Sequence, residues 1–412
     1  MQYTLSGNCF IVERKIGDEG LTGRELFSDR LGLGLFATYG VFLLGFFFFP
    51  ERPLHYKFYD IAVLLPGLFL LHRELPLLWK AWPSRLLLLW LCYQLLSALW
   101  SHSFAFMAFA TLFGWWLQVL VFFVVTSSLS RRYPFEFEFL LKVLVTGVAL
   151  SALVSIYSWY TNPAHPSATY RLEPIGRIDN AILAGCAYGI FTLLALHFSV
   201  ASRTIWARVL YVSAFLVLVS AVFLTHSRTA ILGLLAALVA MPLCFGRSSL
   251  LATLSLLVGI FVVARFAFPE VLDRFYMTLH WRPLIWESVL ARIADAPWFG
   301  YGYLSDTSVT VVGGTFQHAH SSYLGFLRDG GLVGVAIFLA MVAGFGRHIV
   351  QRGCGKAAYL IPMLVFALVV IAPDVDRLIV RPRELWLFFW WPLALFIGMN
   401  QSASENDASS AS

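Results

Sequence analysis

The chain has 412 residues, of which 59% are hydrophobic, 16% aromatic and only 13% charged, with a formal charge of +6 and a mean hydropathy of +0.76. A soluble domain carries roughly 25% charged residues, so this composition excludes a cytosolic globule and describes a chain embedded in a bilayer. The basic balance fits lysines and arginines at a membrane surface, and no nucleic-acid partner is expected.

Residues 1–30 mix Arg14, Lys15, Arg24 and Arg30 with acids and glycines and lack the short apolar core of a signal peptide. They read as a cytoplasmic tail. A span needs roughly 20 apolar residues, fewer with tilt, and nine candidates follow within 31–266: about 31–49, 58–71, 86–100, 104–127, 139–160, 181–200, 209–224, 229–245 and 248–266. A long outer segment, 267–331, separates these from three more, about 332–345, 357–371 and 385–399. Residues 400–412 are polar and Ser/Ala-rich, a second cytoplasmic tail expected to be disordered. A helix satisfies its backbone groups internally, and no ten-residue alternation of a barrel is present. The expectation is therefore an all-α polytopic membrane protein of about twelve transmembrane helices with one large outer loop.

Placing both termini inside puts fifteen Lys and Arg in cytoplasmic segments against eight in short outer loops, the asymmetry that orients membrane proteins. The five cysteines, Cys9, Cys92, Cys186, Cys244 and Cys354, are scattered, with no CxxC and no Cys/His cluster; they predict neither a disulfide framework nor a zinc site.

Segment 267–331 is too rich in Trp, Tyr, Phe and Leu to be disordered, and loops of this length are usually functional. Within it, Pro283–Ala296 places Leu284, Ile285, Val289, Leu290 and Ile293 at helical spacing. The run Pro297-Trp298-Phe299-Gly300-Tyr301-Gly302 then ends that helix. The loop's net charge is −2, so any anion bound there is held by particular arginines in a set geometry, as guanidinium forks hold phosphate. Arg228, in Thr225-His226-Ser227-Arg228-Thr229-Ala230, lies between two apolar spans, where a charge needs a wet cavity, a partner or the headgroup layer. Arg171 and Arg177 precede span 181–200, with Glu173 and Asp179 as local partners.

Gln317-His318-Ala319-His320-Ser321-Ser322 is the sharpest local feature. Two histidines at i, i+2 have no third ligand at a zinc spacing, so no metal is expected. Imidazole suits proton abstraction near neutral pH, and this pair lies where the chain re-enters the bilayer. Spacing alone leaves catalysis and a structural role both open. Asp374-Val375-Asp376 is a DxD, a pattern that can hold a cation beside a diphosphate, but Arg377, Arg381 and Arg383 follow it and favour salt bridges.

His320-Ser321, nine residues, then Gly331-Leu332-Val333-Gly334 resembles the H-[N/S/Q]-x9-G-x-x-G pattern of the O-antigen ligase and polymerase superfamily. Ser227-Arg228-Thr229-Ala230 resembles that family's S-R-[GT]-A segment, and Arg282, Trp286 and the Pro297–Gly302 run resemble its R…W…P-x-F-G-x-G series. The motifs cover about 165–335; elsewhere the likeness is one of topology. It implies a glycosyltransferase of GT-C-like class in the bacterial inner membrane, its active site facing the periplasm. The donor would be an undecaprenyl-diphosphate-linked glycan and the acceptor a sugar hydroxyl of the lipid A–core oligosaccharide. Transfer would invert the anomeric centre and need neither metal nor cofactor.

On that reading His320 is the general base, with Glu287 or Asp295 as substitutes. Arg282, Arg228, Arg171 and Arg177 are the substrate-binding candidates for the diphosphate, and His318 is a neighbour or orienter. An O-antigen polymerase or a protein O-oligosaccharyltransferase using the same donor is the alternative within the resemblance. A transporter is the alternative outside it, disfavoured by few intramembrane charges and no evident half-to-half repeat.

Overall fold

The computed structural model describes residues 23–162, 171–245, 282–312, 314–352 and 359–399, with isolated positions between 253 and 266. The N-terminal tail up to residue 22, most of the span expected at 248–266, the loop segment 267–281 and the tail 400–412 lie outside the described residues.

Helices dominate. In chain order they are α1 (Gly23–Phe48), α2 (Arg52–Lys80), α3 (Trp82–Ser97), α4 (Phe106–Arg132), α5 (Pro134–Thr161), α6 (Ala181–Ala201), α7 (Ile205–Leu224), α8 (Arg228–Phe245), α9 (Arg282–Ile293), α10 (Ser322–Arg352), α11 (Leu360–Asp374) and α12 (Trp386–Met399). Between α9 and α10 a hairpin pairs β1 (Val309–Val311) antiparallel with β2 (Gly314–Phe316), Thr310 opposite Thr315. Six helices among the described residues are long and apolar enough to cross a membrane, α2, α4, α5, α6, α7 and residues Ser322–Ile349 of α10; four shorter apolar helices accompany them. The chain is an all-α polytopic membrane protein.

Local chemistry sets the helix starts. Pro83 and Pro134 occupy first turns, where the missing N–H costs nothing. Asn180 Oδ1 accepts from Ile182 N at 2.9 Å and Leu183 N at 3.2 Å to cap α6, and Thr204 caps α7. Ser227 does the same for α8, its Oγ accepting from Ala230 N at 3.3 Å. The S-R-[GT]-A segment is thus a cap followed by a first helical turn.

α6 is the most enclosed candidate span, packed against α7 and α8, while α8 lies along α11 and α10 along α3. Trp90, Trp386, Trp390 and Trp391 are fully buried between them. Where α2 meets the end of α4, buried Glu74 accepts from Arg131 at 2.6 Å and also pairs with Arg132.

In the outer loop, α9 matches the expected helix to within a few residues. Its buried face, Ile285, Val289 and Ile293, forms a small separate core with Val309 and Ala319, so helix, hairpin and histidine segment are one packed unit. α10 begins ten residues earlier than the apolar run at 332 suggests. Arg328 and Asp329 make that first stretch look like loop, but both are buried in ion pairs and lie in helix. Gly331, at φ 62°, kinks the helix where the apolar run begins.

Candidate active site

The two glycine motifs meet back to back. Tyr301 N donates to Arg328 O at 2.8 Å and Gly302 N to Asp329 O at 2.9 Å, while Leu332 N and Val333 N donate to Pro297 O and Trp298 O at 2.8 and 3.1 Å. A Cβ on Gly300 would stand 2.5 Å from Arg328 O and 2.6 Å from Gly331 N, closer than carbon tolerates. Gly300, Gly302 and Gly331 also hold positive φ, which glycine adopts without a Cβ clash. Both motifs therefore serve to dock the outer loop on the α10 kink, and the histidines lie between them.

His320 has φ 50°, left-handed backbone that costs a non-glycine residue about 1–2 kcal/mol. Such strain persists only where neighbours impose it. His320 N donates to His318 Nδ1 at 3.2 Å, and the preceding carbonyl, Ala319 O, accepts from Trp286 Nε1 of α9 at 3.1 Å. The two imidazole centroids stand 4.1 Å apart. Partial burial lowers the pKa of His320 below the usual histidine value, and the proximity of a second imidazole, His318, and of the Arg282 cation lowers it further against Asp374 and Asp376. Burial likewise lowers that of His318. Both rings are thereby held neutral near pH 7, the form a general base requires.

Arg282, first residue of α9, donates through Nη2 to Asp374 Oδ1 at 2.5 Å, and Thr229 Oγ1 donates to the other carboxylate oxygen. Two distant segments thus converge on Asp374 at the C-terminal end of α11. Arg228, partly buried, precedes Thr229 in the first turn of α8. Leu172 N bonds Leu224 O at 2.8 Å, which lays the backbone next to Arg171 beside the α7–α8 turn that carries Arg228. Arg177 takes another path. Its guanidinium is buried, donating to Glu384 Oε1 at 3.0 Å and Pro382 O at 3.2 Å, with His55 Nδ1 at 3.0 Å and the Phe46 ring 4.7 Å away. Glu173 and Asp179, its neighbours in sequence, are not its ion-pair partners; Asp179 pairs with Arg52. Glu287 and Asp295 are exposed on and just beyond α9.

The carboxylates of Asp374-Val375-Asp376 are engaged by distant arginines, not those that follow them in sequence. Asp376 accepts from Arg328 at 3.0 and 2.9 Å, Arg328 also holds Asp329 at 2.8 Å, and Asp329 accepts from Arg377 at 2.7 Å. This largely buried set of two cations and two anions anchors the segment after α11 to the start of α10. Spacing pointed to Asp374 only as half of a DxD; an isolated acid at the outer end of an apolar span was the available signal that it needs a cation. Thr229 and Trp286 carried no signal beyond their motifs.

Beside these groups lies a cavity of about 470 Å³. Thr229, Trp286 and Ser321 line its polar end and Leu232, Leu290 and Val369 its apolar remainder.

The family model described as O-antigen ligase matches residues 213–339, which include Arg228, Arg282, His318, His320 and both glycine motifs. An O-antigen ligase of Pseudomonas aeruginosa strain PAO1 is 28% identical over 385 residues, 92% of either chain. Both findings point to the O-antigen ligase family, and the long apolar helices make the chain a multi-pass membrane protein. Within the family match, Arg228 and Arg282 open α8 and α9, and His318 and His320 immediately precede α10.

Proposed function

We propose that the chain transfers a glycan from undecaprenyl diphosphate to a sugar hydroxyl of lipid A–core oligosaccharide at the periplasmic face of the bacterial inner membrane, with a GT-C-like arrangement of about twelve spans and both termini in the cytoplasm. The observation that carries this reading is the convergence of Arg282 and Thr229 on Asp374, in the electrostatic neighbourhood of His320, beside a largely apolar cavity. A lipid diphosphate donor needs such a combination: apolar volume for the prenyl chain, cations for the diphosphate, and a base across from them.

The acceptor hydroxyl oxygen attacks the anomeric carbon and passes its proton to the His320 imidazole. The bond from that carbon to the diphosphate oxygen breaks, and its electron pair leaves with undecaprenyl diphosphate. Negative charge grows on the leaving group, so guanidinium groups there stabilise the transition state more than the ground state. Arg282, partly exposed and offering five N–H donors in a fixed fork, is the first diphosphate ligand, Arg228 the second and Arg171 the third. Arg177 joins them only if its pair with Glu384 opens. Direct displacement inverts the centre and uses no metal.

Reconstitution with undecaprenyl-diphosphate glycan and rough lipopolysaccharide tests this. Glycan moving onto the lipopolysaccharide is the expected result. Growth of the lipid-linked chain instead would indicate a polymerase, and uptake without any transfer a transporter.

A further inference from the structure

We propose that Trp286 and His318 are positioning residues that together clamp the peptide unit between Ala319 and His320 and so aim the His320 imidazole, with His318 acting as a neutral hydrogen-bond acceptor and not as a second base. This inference rests on the assignment of His320 as the base.

A peptide unit has one carbonyl and one N–H. Here each is taken by a side chain: the Ala319 carbonyl by the Trp286 indole at 3.1 Å, the His320 N–H by His318 Nδ1 at 3.2 Å. The Ala319 methyl is fully buried among Ile285, Val289 and Val309, so the peptide is anchored on a third side by packing. With both polar groups and the preceding Cα fixed, the plane of the peptide is set, and the left-handed φ of His320 is the turn that carries the chain from that plane into α10. Release of either bond lets this residue relax towards ordinary backbone, which swings its side chain to another direction.

The bond from His320 N also fixes the chemistry of His318. Nδ1 accepts, so its lone pair faces the amide and the ring proton sits on Nε2. Protonating Nδ1 would put two donors face to face. His318 therefore keeps the neutral form for as long as the clamp is closed. Trp286 adds a second coupling, because its ring also lines the 470 Å³ cavity. The side chain beside the proposed donor groove is the one that holds the base.

Asparagine supplies the test, since its Oδ1 lies about where Nδ1 lies in histidine, whereas leucine offers no acceptor. Full-length variants in proteoliposomes should behave as follows. His318→Leu and Trp286→Phe each lower kcat about 30-fold, with the KM for donor changed less than threefold, because a base misplaced by about 1 Å loses on the order of 10²-fold. His318→Asn recovers most of the rate lost in His318→Leu, and its kcat keeps the wild-type acid limb in a pH profile. His320→Ala is inactive throughout. His318→Asn as slow as His318→Leu, or loss of the acid limb in His318→Asn, would overturn the clamp and make the imidazole itself a titrating participant. Wild-type kcat in Trp286→Phe would overturn the indole's part; if that variant fails to fold, the His318 pair decides alone. Activity retained in His320→Ala would instead remove the base assignment, a failure separate from that of the clamp.

Discussion

Two arginine–carboxylate pairs at the outer end of the molecule have the same chemistry and opposite surroundings. Arg177 and Glu384 are both fully buried at 3.0 Å, whereas Arg282 remains 24% exposed against Asp374 at 2.5 Å. Desolvating two charges is repaid only when the pair stays intact, and removing one partner of a buried pair costs about 3–5 kcal/mol. The first pair therefore ties the 171–180 segment to the segment before α12. The second has a solvent-facing side, and a guanidinium there can turn to a phosphate without leaving a charge stranded. Burial, more than the identity of the residues, separates an arginine that builds from one that binds.

Five experiments break or sharpen this contrast. The largest effect belongs to His320→Ala, whose transfer rate should fall by about 10³-fold or more with melting temperature and yield intact, in line with loss of a general base; wild-type rates would move the base to Glu287 or Asp295. Arg282→Lys should follow, about 10²-fold slower at normal stability, because an ammonium cannot reproduce the fork. Arg177→Met should show the reverse pattern, a loss of about 3–5 kcal/mol in stability with kcat per folded molecule within a few-fold of wild type. A folded but inactive Arg177→Met protein would erase the contrast and make Arg177 a diphosphate ligand. The smallest effects come from conditions. With the pKa of His320 lowered by burial and by the neighbouring His318 and Arg282, the base is neutral at pH 7, and kcat should decline only as pH falls through a midpoint below about 6.5. EDTA should leave transfer unchanged; a loss restored by a divalent cation would give Asp374 and Asp376 a metal.

Much of this molecule is legible along the chain. Apolar runs mark eleven of the twelve helices, because a helix in lipid must be apolar and continuous, and helical periodicity marks the remaining one, α9. The start of α10 is misjudged for the same reason: Arg328 and Asp329 are polar in sequence, and besides pairing with each other they are engaged by Asp376 and Arg377, 48 residues away. His320 and Arg282 could be named from motif order. Asp374, which organises them, could not be given its partners, since Arg377, Arg381 and Arg383 lie nearer to it in sequence than Arg282 does.

What the sequence determined by itself is the class of protein and the helical content, and it named the residues proposed to serve transfer from a lipid diphosphate. These follow from composition, hydrophobic run length and short motifs, all local quantities. The tertiary structure alone decided which arginine is enclosed and which is open, that the paired glycine motifs are a backbone joint, and that His318 faces the amide of His320. Each depends on burial or on contacts between segments far apart in the chain, and a charge or a hydrogen bond takes its energy from those surroundings, which no local pattern encodes.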